Sequence, residues 1–105
     1  MRRFPPIALA LLFFAAIVAQ ADPPSPAIIS RIKRVPVQST ALAAVGYSKR
    51  LHALEIEFRN GAIYRYLAVK SAVYNALLKA PSKARFYDQN IRRKYRSLHV
   101  RRRSP

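Results

Sequence analysis

Between Leu51 and Leu67, apolar and polar residues alternate in two runs that meet at Asn60-Gly61. Alternation with period two marks a half-buried strand, and Asn-Gly between two such runs marks a hairpin. The side-chain pattern tests the register. A two-residue turn at Asn60-Gly61 pairs Glu57 with Tyr64 and sets Arg65 beside Ile56 on the apolar face. A three-residue loop, Arg59-Asn60-Gly61 with Gly61 left-handed, pairs Leu54 with Tyr66, Ile56 with Tyr64 and Glu55 with Arg65. A one-residue slip exchanges the two faces of a strand, and only the second register sorts them. It predicts that Leu54, Ile56, Phe58, Tyr64 and Tyr66 line one face. Upstream, Ala41 to Tyr47 is apolar and bounded by Ser39-Thr40 and Ser48-Lys49, which predicts a third strand. Gly46 within it predicts a bend or bulge.

Three strands with one apolar face need a cover. Ser71 is the expected N-cap of a first helix. Val73, Leu77 and Ala80, with Tyr74 and Leu78, form its apolar stripe at helical spacing. Pro81 ends it and Ser82 caps a second helix. There Ala84, Tyr87, Ile91, Tyr95 and Leu98 fall on one side, and Arg85, Gln89, Arg92 and Arg96 fall roughly opposite. The expected fold class is α+β: a three-stranded antiparallel β-meander packed by two C-terminal helices.

The N-terminus follows another logic. Arg2 and Arg3 precede an uncharged apolar stretch, Ile7 to Val18, and Ala19-Gln20-Ala21 follows as an A-x-A cleavage site. These are the three parts of a secretory signal peptide, in order. The apolar stretch is shorter than the ~20 residues of a spanning helix. Residues 1–21 are expected to be removed after Ala21 and the remainder exported, to the periplasm or the medium. Residues 22–34 carry three prolines and then Arg31, Lys33 and Arg34, which predicts an extended linker. The folded domain is expected over 35–100, with a frayed basic tail at 101–105.

Charge narrows the partners. The chain of 105 residues holds 20 Lys and Arg against four acids. Arg2 and Arg3 leave with residues 1–21, so the processed chain keeps 18 basic residues against the same four acids, a net charge of +14. Such a surface attracts polyanions. Residues 92–103 hold seven of the cations and no acid. Arginine dominates them, which suits bidentate contact with phosphate or carboxylate. The expected polyanion-binding residues are Arg85, Arg92, Arg93, Lys94, Arg96, Arg101, Arg102 and Arg103. Nucleic acid, an anionic envelope polymer and an anionic membrane surface are the candidate partners, and a cell-envelope protein is the alternative. There is no cysteine, so an exported domain of this size depends on packing, helped by aromatic residues; of the chain's six Tyr and five Phe, all six Tyr and two Phe lie after Ala21.

Taken in order, several elements resemble a known family. They are Ser39-Thr40-Ala41-Leu42, Val45-Gly46-Tyr47, Leu54-x-Ile56-x-Phe58-x-x-Gly61-x-x-Tyr64-x-Tyr66, Ala80-x-Ser82, and Ile91-Arg92 with Tyr95. The set resembles the KTSC domain, named for a module at the C-terminus of some lysyl-tRNA synthetases and also found as a small stand-alone bacterial protein. The resemblance runs from about Val37 to Tyr95. It implies a role for Gly61, Tyr64, Tyr66, Ser82, Ile91 and Tyr95 as motif residues, chiefly in the core. The synthetase context implies RNA binding, which a cytosolic chain with an uncleaved leader would permit. Two positions depart from the family: Ala84 stands where Gly is usual, and Lys70 where Pro is frequent. If position 84 requires positive φ, Ala costs ~1 kcal/mol; otherwise the second helix starts earlier.

Catalysis needs a constellation of groups. The sequence offers His52, His99 and four acids (Asp22, Glu55, Glu57, Asp88), with Glu55 expected to pair across the hairpin. A two-histidine site would require His52 and His99 to meet. No metal cluster is visible in the ligand spacing. The chain is therefore expected to bind rather than catalyse, without cofactor or metal. Tyr64 and Tyr66 are expected in the core under the helices, and stacking of bases on them is the alternative.

Overall fold

A computed structural model describes residues 28–102. The expected leader with its cleavage after Ala21, the first part of the linker and Arg103 lie outside the described residues. Within them the order of elements is β1 (Ile28–Ile29), β2 (Val35–Pro36), β3 (Leu42–Ser48), β4 (Ala53–Phe58), β5 (Ile63–Tyr66), α1 (Ser71–Lys79), α2 (Lys83–Asn90) and β6 (Ser97–Arg101). The class is α+β with two helices. The sheet, however, has six strands in the order β1-β6-β5-β4-β3-β2, not three.

The central hairpin has the predicted register: Leu54 opposite Tyr66, Glu55 opposite Arg65, Ile56 opposite Tyr64. Phe58 N–H donates to the Ala62 carbonyl at 2.8 Å, which closes the three-residue loop, and Gly61 sits at φ 95°. That φ suits glycine because it has no Cβ. The helices cover one face of this sheet. Leu77 of α1 and Ile91 at the end of α2 are fully buried with Leu42, Val45, Leu54, Ile56, Tyr66 and Val69. Burying a Leu or Ile contributes about 1.5–3 kcal/mol each, so this cluster is the main source of stability.

The second helix is shorter than the apolar spacing predicts. It ends at Asn90, and the Ile91 and Arg92 amides both donate to the Tyr87 carbonyl at 2.9 Å. Arg93 then takes φ 61° and turns the chain. Leu98, expected on the helix, lies instead in β6, antiparallel to β5. Arg92, Tyr95 and Arg96, expected on the faces of the helix, lie on the connection after it for the same reason. Arg101, expected in the frayed tail, is the last residue of β6.

The segment expected as a linker is structured from Ile28 onward. β1 pairs parallel with β6, and β2 pairs antiparallel with β3. They occupy opposite edges of the sheet, yet only residues 30–34 join them. Five spacings of about 4.8 Å would separate the edges of a flat sheet by about 24 Å. Six extended Cα steps reach at most about 20–22 Å. The sheet therefore curls, and residues 30–34 strap its edges together across the face turned away from the helices. Gly46 records this contact. A Cβ there would strike the Lys33 carbonyl. Its role is this close approach rather than the predicted bulge, which falls between Leu42 and Ala44.

Glu55 lies under the strap and is fully buried. Its Oε1 accepts from Arg34 Nη1 at 2.7 Å and its Oε2 from Arg65 Nε at 2.8 Å. Arg65 Nη2 also donates to the buried Ser30 hydroxyl at 3.1 Å. One carboxylate thus joins the strap to β4 and β5. Ser71 is the first helical residue rather than the cap; Lys70 holds the cap position without a side-chain bond. Ser82 does cap α2, its hydroxyl accepting from the Arg85 amide at 3.2 Å. Ala84 lies inside α2, so the helix starts early and no positive φ is needed there.

Candidate functional site

Where α2 meets the sheet, four aromatic rings gather. Tyr66 and Tyr87 join their hydroxyls at 2.8 Å with rings edge to face at 6.0 Å. Phe58 packs edge-on to Tyr87 at 5.1 Å, and Tyr64 packs against Phe58 at 6.4 Å. Tyr66 belongs to the core, whereas Tyr64 is half-buried at its margin. Burial, then the bond to Tyr87, pushes the Tyr66 hydroxyl far above the ordinary tyrosine range. It is a structural hydroxyl, neutral at any physiological pH.

These rings line a pocket of about 310 Å³ with Tyr95, Arg92 and Arg93 at its rim. The connection from α2 to β6 places the arginines. Ile91 plugs the core and fixes the start of the turn, and Lys94 N–H donates back to the Ile91 carbonyl at 3.0 Å. The Arg96 carbonyl accepts from Leu67 N–H at 2.9 Å and fixes its end. Between these anchors Arg92, Arg93 and Lys94 are all exposed. Arg93 is held in the left-handed region, which costs a non-glycine residue about 1–3 kcal/mol and recurs at ligand-binding turns.

The predicted cations divide by environment. Arg92 donates to Asp88 at 2.8 Å, an exposed i,i+4 pair that solvent screens and that holds the arginine only weakly. Arg93, Lys94 and Arg96 show no acidic partner among the described residues. Arg85 is exposed on α2, one turn before Gln89, and Arg92 lies past the helix end. Arg102 does not join them: it donates to Glu57 at 2.8 Å, beside the hairpin loop. Arg101 is exposed on β6, across from β1. The helical stripe is thus replaced by a run of cations on the connection, with Arg85 apart from it on α2. The aromatic pocket under the cluster was not readable, because Tyr87 and Tyr95 reach Tyr64 only through the fold.

The histidines do not meet. His99 is across from Tyr64, itself across from Ile56, while His52 lies four residues before Ile56. Sheet spacings separate them by roughly 16 Å. His99 instead packs on the Tyr64 ring at 5.6 Å, and His52 is exposed in the β3–β4 turn.

The profile of the KTSC domain matches residues 38–95. An uncharacterized protein of Stutzerimonas stutzeri is 47% identical over 58 residues, covering 55% of this chain and 82% of that protein. A protein of Tsukamurella paurometabola is 35% identical over 63 residues, covering 60% of this chain and 94% of that one. The crystal structure of a KTSC domain protein from Yersinia pestis superposes with a TM-score of 0.65 at 33% identity. It covers 67% of this chain and 99% of that one.

Proposed function

The chain belongs to the KTSC domain family, and on that footing we propose that it is an exported, non-catalytic binding module that holds a polyanion on the connection between α2 and β6. The observation that carries the reading is the uncompensated cluster of Arg93, Lys94 and Arg96. It is fixed at both ends by backbone bonds, and its Arg93, with Arg92, lines the aromatic pocket. Cations on a pre-ordered turn lose little freedom on binding, which favours affinity. Guanidinium groups grip phosphate and carboxylate oxygens in pairs, and Arg85 extends the contact along α2. Export rests on residues 1–21 and their A-x-A site. It directs the module toward envelope or extracellular polyanions rather than tRNA.

Duplex DNA, whose charge spacing is known, serves as the probe polyanion. Four phosphate contacts give a log–log salt slope of about −3.6. Absence of binding at low salt, or binding indifferent to salt, overturns the reading. Export is tested by fractionation and the N-terminus of the recovered protein, expected at Asp22 outside the cytoplasm; a cytosolic protein that retains Met1 overturns it.

A further inference from the structure

On the opposite face, between the strap and the β3–β4 turn, lies a second pocket of about 460 Å³. Its character differs from the first. Its apolar lining is mainly aliphatic: Ile29 and Leu51, which are 59% and 42% exposed, stand with Ile32 and Tyr47. Arg31, Lys33 and Arg50, all exposed, surround them. The acids among the described residues are Glu55, Glu57 and Asp88, and each is already paired with arginine; Glu55, fully buried beneath the strap, holds Arg34 and Arg65, the latter also part of the pocket lining. Among the described residues no carboxylate lines this pocket. Two of the four large apolar side chains left exposed among the described residues therefore sit in one cationic ring.

We propose that this ring docks on the surface of an anionic phospholipid bilayer, with Leu51 and Ile29 entering the interface and Arg31, Lys33 and Arg50 taking lipid phosphates. Charge complementarity selects the occupant. A free phosphate would leave the exposed Ile and Leu unused, and a neutral lipid would leave the cations unused. Clustered basic residues beside apolar anchors are what interfacial binding requires. The site lies on the strap side of the sheet and does not rest on the polyanion reading.

The sequence contains no tryptophan, so Leu51→Trp supplies a single reporter. The protein is purified as it accumulates in cells and mixed with phosphatidylcholine vesicles, with and without phosphatidylglycerol. The expected result is a blue shift and quenching by brominated lipid only when phosphatidylglycerol is present. Arg31→Ser and Arg50→Ser should each weaken the partition about five-fold. Leu51→Ser in the otherwise native chain should weaken sedimentation with the same vesicles. No shift, an equal shift on neutral vesicles, or an equal shift from Leu78→Trp on α1 overturns the proposal. So does full reversal by millimolar glycerol phosphate, which would mark a site for small anions. DNA binding should survive the Arg31 and Arg50 changes, so failure of one site is distinguishable from failure of the other.

Discussion

Replacing Glu55 with glutamine keeps shape and removes one charge. Glu55 is fully buried between Arg34 and Arg65, with oxygens 2.7 and 2.8 Å from their guanidiniums. The new amide can turn an oxygen toward one arginine only, and its NH2 then faces donors of the other. Removing one partner from a buried ion cluster costs about 3–5 kcal/mol. The arginine side chains keep 22% and 16% exposure, so the lower end applies, about 3 kcal/mol. A domain spanning residues 28–102 has a total stability of about 4–11 kcal/mol. With a urea slope near 1 kcal/mol per molar, the unfolding midpoint should fall by about 3 M. Urea is the denaturant to use, because guanidinium is itself a screening salt. Arg34→Met, Glu55→Leu and Arg65→Met together should return the midpoint to within about 1 M of native, since a packed apolar triad can replace a buried ionic one. A Glu55→Gln cost below about 1 kcal/mol refutes the reasoning: the carboxylate would then be hydrated and the strap not seated.

Two further changes test the packing on each side of the sheet. Gly46→Ala pushes the Lys33 carbonyl and should cost about 1–3 kcal/mol, read as a lower urea midpoint with faster tryptic cleavage after Arg31 and Lys33; unchanged cleavage would mean the strap does not rest there. Tyr66 is raised in the fold and ordinary when unfolded, so the unfolded chain loses its proton first. Its contribution is complete below about pH 10 and fades above it, by up to about 1.4 kcal/mol per pH unit. Tyr66→Phe should flatten the alkaline fall in stability between about pH 10 and 11, and an equal fall in both proteins would contradict the burial of this hydroxyl.

The hairpin was legible because each strand carries its own pattern. Alternation, Asn60-Gly61 and the Glu55–Arg65 match agree on one register, and the observed pairing is that register. Both helices were legible as apolar stripes, and Ser82 as a cap. The end of α2 was not. Sequence punctuates a helix C-terminus with Gly or Pro, and here a left-handed Arg93 does the turning. The apolar spacing of Tyr87, Ile91, Tyr95 and Leu98 continued past it and concealed β6. Strands β1 and β2 have two residues each and pair with segments distant in sequence, so no local pattern could announce them. Their one trace was Gly46, whose missing side chain makes room for the strap. The cations of the candidate site were visible as a dense run. Their grouping around a tyrosine pocket was not, since it depends on that unmarked turn.

The cluster on the α2–β6 connection is tested most directly by its effect on the salt slope. Arg92→Ser, Arg93→Ser, Lys94→Ser and Arg96→Ser are made together and compared with the native chain on the same DNA. Each lost phosphate contact should flatten the slope by about 0.9, so about 3.6 should vanish, while the urea midpoint stays near native. A quadruple variant that keeps both the native slope and the native affinity would contradict the account.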